Sequence, residues 1–383
     1  MTPAARLSAA IAVLDRILDG EPAEKALTNW GRANRFAGSG DRAALRDLVF
    51  DALRCKRSCA ALGGAMTGRG LILGQQRQRG ADLDALFTGI GHAPAVVQAS
   101  EAPRAPQGAE AMDCPDWLLP LMQASLGDDT EAVLRALQQR APVFLRVNLA
   151  RATVAAAQAD LAAQGIASVP HALAKTALEV TENARKIQNA AVYLDGMVEL
   201  QDAASQAVVQ ALPLRDGLRV LDHCAGGGGK TLAMAAQAKV QVFAHDANPR
   251  RMADLPARAN RAGAQVAILD NPEKAGPYDL ILTDVPCSGS GSWRRDPMGK
   301  WALTPEILAK ICTVQAGILD RVAPMVAAAG VLAYATCSLL RDENEAQIDA
   351  FLARTPGWVC RQSQRFSPLS GGDGFFIAIL TRI

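Results

Sequence analysis

The chain is 383 residues long, half of them apolar, with a formal net charge of only +2. That length accommodates two or three domains with buried cores, and the composition excludes both a disordered chain and a polycation that binds by bulk charge. No basic segment followed by an apolar one opens the sequence. No stretch approaches the ~20 uninterrupted apolar residues of a membrane span, so a soluble, cytoplasmic protein is expected.

Eight cysteines are scattered without a CxxC, and only four histidines accompany them. This usage fits a reducing compartment and predicts no metal site. Charge is uneven along the chain: residues 32–79 carry ten Lys/Arg against three acids, and residues 80–131 carry nine acids against Arg104 alone. Such blocks read as an RNA-facing surface beside a solvated linker, or as two unlike solvent faces.

In chain order, residues 5–18 show the three-to-four apolar spacing of an amphipathic helix through Leu7, Ile11, Leu14 and Ile17. Asp41 is the expected cap of a second helix whose buried stripe is Leu45, Leu48, Val49, Ala52 and Leu53. Residues 89–115, rich in Gly, Pro, Ala and acids, predict a loose connection, and helical spacing resumes over 115–137. A strand at 142–148, a helix at 153–164 and an extended or mixed piece at 179–187 predict a small α/β subdomain.

From residue 218 short apolar runs alternate with helical stretches, at 218–222, 240–246, 264–270, 278–284 and 330–336. That alternation predicts an α/β domain with a mostly parallel, doubly wound sheet, whose ligands bind beyond the carboxyl ends of the strands. Asp222, Asp246, Asp270, Asp284 with Cys287, and Cys337 each stand where a strand ends. Five such ends point to one rim and one site.

Three segments carry the chemistry. Residues 221–231, LDHCAGGGGKT, run from a strand into a helix, where glycines let backbone amides approach a ligand. Cys224 replaces the first glycine of a Walker loop, and Thr231 replaces the last glycine of a dinucleotide fingerprint. Asp246 ends the next strand, where an acid commonly accepts from ribose hydroxyls, although it also suits a helix cap. A nucleoside cofactor without phosphate, such as S-adenosylmethionine, satisfies both observations. Residues 284–297, DVPCSGSGSWRRDP, form a Ser/Gly-rich loop leading to Arg294 and Arg295, either a phosphate clamp or a surface pair with Asp296. Residues 334–345, YATCSLLRDENE, place Cys337 at the next strand end.

Two thiols beside an acid suit methylation of cytosine carbon 5. That carbon becomes nucleophilic only after a thiolate adds to carbon 6, and the adduct then has to be released. Asp284 is placed to hydrogen-bond the base as attack proceeds. Chemistry alone leaves open which cysteine attacks, because DNA cytosine methyltransferases carry their nucleophile in a Pro-Cys motif like that of Cys287.

At these segments the sequence resembles the RsmB/Sun family of RNA cytosine-5 methyltransferases, whose loops read CAAPGGKT, DAPCSGTG followed by RRxP, and YSTCS followed by ENE. Here they stand as CAGGGGKT, DVPCSGSG with RRDP, and YATCS with ENE. Gln201, Asp202 and Ser205, and residues 373–376 (DGFF), also match family positions. The resemblance implies a Rossmann-like class I methyltransferase fold and S-adenosylmethionine as cofactor. It implies Cys337 as nucleophile, Cys287 assisting release, and Asp284 and Lys230 near the base. Cofactor contacts would come from Cys224, Ala225, Gly226, Gly227, Gly228, Gly229, Lys230, Asp246, Arg251, Asp270 and Asp284. Gly227 stands where the family usually has proline, which makes the loop more flexible.

Residues 34–54 resemble the NusB-like helical domain of bacterial ribosomal members, implying 16S ribosomal RNA as the substrate; the chain is expected to act as a monomer. The expected division is a helical NusB-like RNA-binding domain and linker at 1–138, a small α/β subdomain at 139–195 and the methyltransferase domain at 196–383. A transfer RNA cytosine methyltransferase, a non-catalytic RNA-binding assembly factor and an amino-group methyltransferase are the alternatives. The last usually has an acid or amide followed by Pro-Pro and an aromatic, where this chain has Asp284, Val285, Pro286 and Cys287.

Overall fold

A computed structural model describes all 383 residues, which divide into two compact units. The first comprises residues 1–140 together with 293–302, and the second comprises 141–292 and 303–383. Residues 293–302, assigned from sequence to the methyltransferase domain, therefore pack with the helical unit instead.

The helical unit is built on α1 (Pro3–Leu18), α2 (Ala23–Ala33), α3 (Ser39–Arg54), α4 (Lys56–Gly63) and α5 (Gly68–Gln78). Leu7, Val13, Leu14, Leu45, Val49, Leu53, Leu71 and Ile72 share its core. Asp41 does not cap α3: Gly38 holds that position, and Asp41 in the first turn binds the N-terminal ammonium at 3.2 Å and Arg6 Nε at 2.9 Å. The helix at 115–137 is two helices, Leu119–Leu126 and Thr130–Leu137, because Gly127 takes a left-handed φ of 56° between them. The returning segment is bound to the end of α3. Lys300 Nζ donates to the Arg54 carbonyl at 3.2 Å and Trp301 Nε1 to that of Leu53 at 2.7 Å, satisfying carbonyls the helix end leaves open.

The second unit holds two sheets. In the smaller, β1 (Val143–Val147), β2 (Ser168–Pro170), β3 (Ala177–Val180) and β4 (Val198–Leu200) run antiparallel in the order β2-β3-β1-β4. β4 lies past residue 195, so the small subdomain ends later than the sequence placed it. Its helix Val154–Ala163 is capped by Thr153.

The larger sheet contains β5 (Arg219–Asp222), β6 (Gln241–Ala244), β7 (Val266–Ile268), β8 (Tyr278–Asp284), β9 (Val326–Thr336), β10 (Trp358–Phe366) and β11 (Phe375–Arg382). Their order is β10-β11-β9-β8-β5-β6-β7, parallel from β9 to β7 and antiparallel at β10 and β11. Successive residues enter opposite cores, as a period of two requires. Val220, Leu280, Leu282, Ala333 and Ile377 pack against helices Ala203–Gln210 and Gly229–Gln237. Leu221, Ile281, Leu332, Tyr334 and Phe376 pack against Pro305–Val322 and Glu345–Arg354. Helices on both faces make this the expected Rossmann-like, doubly wound sheet, with its switch of strand order between β5 and β8. No helix is long and apolar enough to cross a membrane.

α4 and α5 meet through glycine. A Cβ on Gly74 would lie 1.9 Å from the Cys59 carbonyl oxygen, and one on Gly63 would lie 1.8 Å from that of Gly70. Alanine improves helix propensity by only about 1 kcal/mol, less than the ~1–3 kcal/mol of overpacking. Gly74→Ala is expected to lower unfolding free energy by up to about 2 kcal/mol net in urea titration. A stabilised variant would contradict the close contact.

Candidate active site

The parallel register of β8 and β9 sets Asp284 beside Ala335. Both strands end there, and the loops that follow bring Cys287 Sγ within 3.3 Å of Cys337 Sγ. Both thiols are partly exposed. Their loops are tied together: Gly291 N donates to the Cys337 carbonyl at 2.9 Å, and Leu339 N to Ser290 Oγ at 2.8 Å.

Glu343, fully buried, lies under both loops. Oε1 accepts from Ser288 N at 2.7 Å and Gln315 Nε2 at 3.1 Å, and Oε2 accepts from Ser288 Oγ at 2.5 Å and from Ser338 Oγ. The residue following each cysteine thus shares one carboxylate. Gln315 also donates to the Pro286 carbonyl at 3.0 Å. In the sequence Glu343 stands out only as part of ENE, and Gln315 not at all, since no local pattern marks a helix residue 28 positions from its partner.

At the β5 and β8 ends, Lys230 Nζ donates to Asp284 Oδ2 at 2.6 Å and lies 4.8 Å from the Phe375 ring centroid. Burial works against the lysine charge, but the charge and hydrogen bond of Asp284 overcome it and raise the Lys230 pKa. The Cys287 pKa is pushed well up, first by its hydrogen bond with Cys337, then by burial and by the nearby negative charges. The arrangement holds a thiol against its neighbour beside a fixed ion pair, which suits nucleophilic attack on a polarised ring.

The glycine loop leaves β5 through Cys224 and Ala225 and enters the helix at Gly229. Gly226 and Gly228 take φ of 51° and 80°, and a Cβ on Gly228 would lie 2.2 Å from Leu255 Cδ1, so side chains are excluded there. Asp246 Oδ2 accepts from Gly226 N at 2.9 Å and pairs with Arg251 at 3.2 Å, while its Oδ1 accepts from Asn248 N at 2.9 Å. Asp246 therefore fixes the loop and caps its own turn. Asp270 is exposed beyond β7. Burial raises the Cys224 pKa, leaving it a thiol.

Asp222, buried beneath the loop, accepts from Thr231 Oγ1 at 2.7 Å through Oδ2, while Oδ1 has no partner. An orphaned buried oxygen under a glycine cradle fits a ligand with polar groups seated in the loop. Asp202 caps the helix Ala203–Gln210 and accepts from Asp373 N at 3.0 Å, drawing residues 373–376 to this rim. Arg294 does not act as an exposed phosphate clamp: it is 4% exposed within the helical unit, where its carbonyl accepts from Arg54 Nε at 2.6 Å. Arg295 is exposed.

Burial raises the Asp222 pKa to about 7, and burial followed by the charge of His245 lowers that of His223 to about 4. The raised acid contributes stability below its unfolded pKa near 3.8 that is lost as pH rises toward 7. The depressed histidine contributes stability above 6.5 that is lost as pH falls toward 4. The two slopes oppose each other. Asp222→Asn removes only the first, so its stability relative to the parent is expected to rise by about 1.4 kcal/mol per pH unit between pH 4.5 and 6.5 in urea unfolding. A pH-independent difference would contradict the buried, protonated acid.

The family model described as 16S rRNA methyltransferase RsmB/F matches residues 209–381, and a ferredoxin-like domain of RsmF/B-like methyltransferases matches residues 114–187. Ribosomal RNA small subunit methyltransferase B of Xanthomonas campestris pv. campestris is 31% identical over 310 residues, covering 75% of this chain and 71% of the relative. The protein of the same name from Citrobacter koseri is 33% identical over 284 residues, 70% of this chain and 66% of the relative. This chain thus spans just under two thirds of the Citrobacter relative's length. The crystal structure of PH0851 superposes with a TM-score of 0.78 at 21% identity, over 100% of this chain and 99% of that one, and shares the fold. By these matches the chain belongs to the family whose model is described as 16S rRNA methyltransferase RsmB/F.

Proposed function

We propose that this chain is an S-adenosylmethionine-dependent methyltransferase that methylates carbon 5 of a cytosine in 16S ribosomal RNA through a covalent adduct on Cys337. The observation that carries the reading is the 3.3 Å approach of Cys287 and Cys337 beside the Lys230–Asp284 pair. Family membership supports the ribosomal substrate over transfer RNA.

Gly226 to Gly229, with Asp246, Asp270 and Arg251 around them, would hold the cofactor, and Asp222 lies below. When bound, S-adenosylmethionine supplies an electrophilic methyl group on a sulfonium. Cys337 enters the reaction as a thiolate, with the Cys287 thiol donating to it. Its electron pair forms the bond to carbon 6, and carbon 5 becomes the nucleophile. The ring nitrogen takes a proton from solvent as the bond forms, and Asp284, held by Lys230, accepts from it and from the exocyclic amine and so stabilises the addition; that proton returns to solvent when the adduct breaks.

Once Cys337 is a thioether it no longer accepts from Cys287. The largest cause of the raised Cys287 pKa disappears at that step, leaving burial and the charge of Glu343 to raise it; in the proposed sequence Cys287 then gives its proton to solvent. The new thiolate removes the proton on carbon 5, the carbon 6–sulfur bond breaks, and Cys337 regains its electron pair. Both cysteines return to their starting states, with one proton released overall.

The helical unit supports an RNA-binding role in keeping with its NusB-like resemblance. Trp30, Arg32, Arg35 and Arg42 line a groove of about 620 Å³, beside Phe36, which is 74% exposed. Part of the basic stretch is spent internally: Arg57 pairs with Asp116 at 2.9 Å and Arg69 with Glu101 at 2.5 Å. Arg32 and Arg35 are exposed.

Cys337→Ala is expected to reduce methylation to background, while Cys287→Ala still attacks and accumulates an RNA adduct that survives denaturing electrophoresis. Full turnover by Cys337→Ala would sink the assignment. Replacing Arg32 and Arg35 with Gln is expected to flatten the dependence of log affinity on log salt by roughly 1.4, at about 0.7 per single-strand phosphate contact. An unchanged slope would make the groove an ordinary solvated surface.

A further inference from the structure

Four consecutive glycines, residues 226–229, are poorly suited to holding a fixed shape unaided, because glycine has the widest backbone freedom. This loop is gripped from outside. Arg258, on the helix Leu255–Ala262, donates through Nη1 to the Gly227 carbonyl and through Nη2 to Glu199 Oε2 at 2.8 Å. Arg146, on β1, donates through Nη1 to the Gly229 carbonyl at 2.7 Å and to Gln201 Oε1 at 2.6 Å.

Arg258 is anchored by Glu199, and Arg146 faces Glu199 across the strand pairing. That carboxylate is 2% exposed on β4, directly opposite Arg146 in the β1–β4 pairing, and Arg261 also binds it. Burying Arg146 lowers its pKa to about 10, and its Nε lacks a partner. A guanidinium kept buried under that cost, with its charge on a loop carbonyl, has a positioning role that packing alone does not explain. The C=O and the following N–H of a trans peptide point in opposite directions. Fixing the Gly227 and Gly229 carbonyls therefore also fixes where the amides of Gly228 and Lys230 point.

We infer that Glu199, Arg258 and Arg146 form a clamp by which the small subdomain rigidifies the cofactor loop, with Arg258 supplying at Gly227 the restraint a rigid residue would otherwise give. The inference rests on the reading of residues 224–230 as the cofactor loop. Gly227 is the position where the clamp can be exchanged for covalent restraint. Its φ lies outside the left-handed region, and the nearest atom to a Cβ there is Arg258 Nη1 at 3.1 Å, which an alanine at 258 removes.

Binding of S-adenosylhomocysteine, measured by titration calorimetry, and amide exchange over residues 224–230 test the clamp in the full chain. Arg258→Ala is expected to weaken binding about 10-fold, as loss of a charge-assisted hydrogen bond does, and to accelerate exchange in the free protein. Adding Gly227→Pro to that variant is expected to recover at least about 3-fold and to slow exchange again, by restricting the open loop. Unchanged affinity and exchange in Arg258→Ala would overturn the clamp, as would a loss that proline fails to recover. If the parent protein bound no S-adenosylhomocysteine, the cofactor reading would fall, while the exchange measurements would still decide whether Arg258 restrains the loop.

Discussion

The approach of two thiols at the ends of neighbouring parallel strands is the constraint on which the rest of the site depends. Parallel pairing sets β8 and β9 side by side in register, and their loops cross-bond through Gly291, Ser290 and Leu339. A buried carboxylate with several hydrogen-bond donors resists displacement of any one loop, because an orphaned donor or acceptor costs more than a typical bond gains. Glu343 thus converts two flexible loops into one body. The chemistry proposed for the cysteines follows from that rigidity, since a hydrogen bond between them makes the protonation of one depend on the covalent state of the other.

The glycine loop solves a different problem. It needs open space and unusual backbone angles for a ligand to approach, and both exclude side chains at Gly228. Shape is then imposed from three sides: Asp246 on the Gly226 amide, Arg258 on the Gly227 carbonyl and Arg146 on the Gly229 carbonyl. Two of those three groups depend on the small subdomain, Arg258 through Glu199 and Arg146 as a residue of β1 itself. On the proposed reading, the small sheet is consequently part of the cofactor site's architecture.

Much of this was legible in the sequence where the signal is local. Alternation of short apolar runs with helical spacing gave the parallel strands, and polar residues at their ends gave the rim, because strand length and side-chain period are properties of adjacent residues. Long-range pairings left no such trace. β4 is three residues long, β10 is mostly exposed, and β11 is a buried apolar run without alternation. Asp41 looked like a cap because it precedes an apolar stripe, yet Gly38 begins the helix and a distant ammonium claims the acid. Residues 293–302 follow the cysteine loop in sequence but pack on α3, where two of their side chains satisfy its last carbonyls. Arg146, Glu199 and Arg258 went unnoticed for the same reason: each is ordinary in its own segment and acquires a role only when three separate elements meet.

The division of labour between the cysteines is the central claim, and RNA containing 5-fluorocytosine tests it most directly. Fluorine on carbon 5 permits attack and methyl transfer but cannot leave as a proton does, so the parent enzyme should stall as a covalent complex. Peptide mapping by mass spectrometry should place the nucleotide on Cys337, with Cys287 unmodified. A bond to Cys287, or no cofactor-dependent adduct at all, would contradict the account.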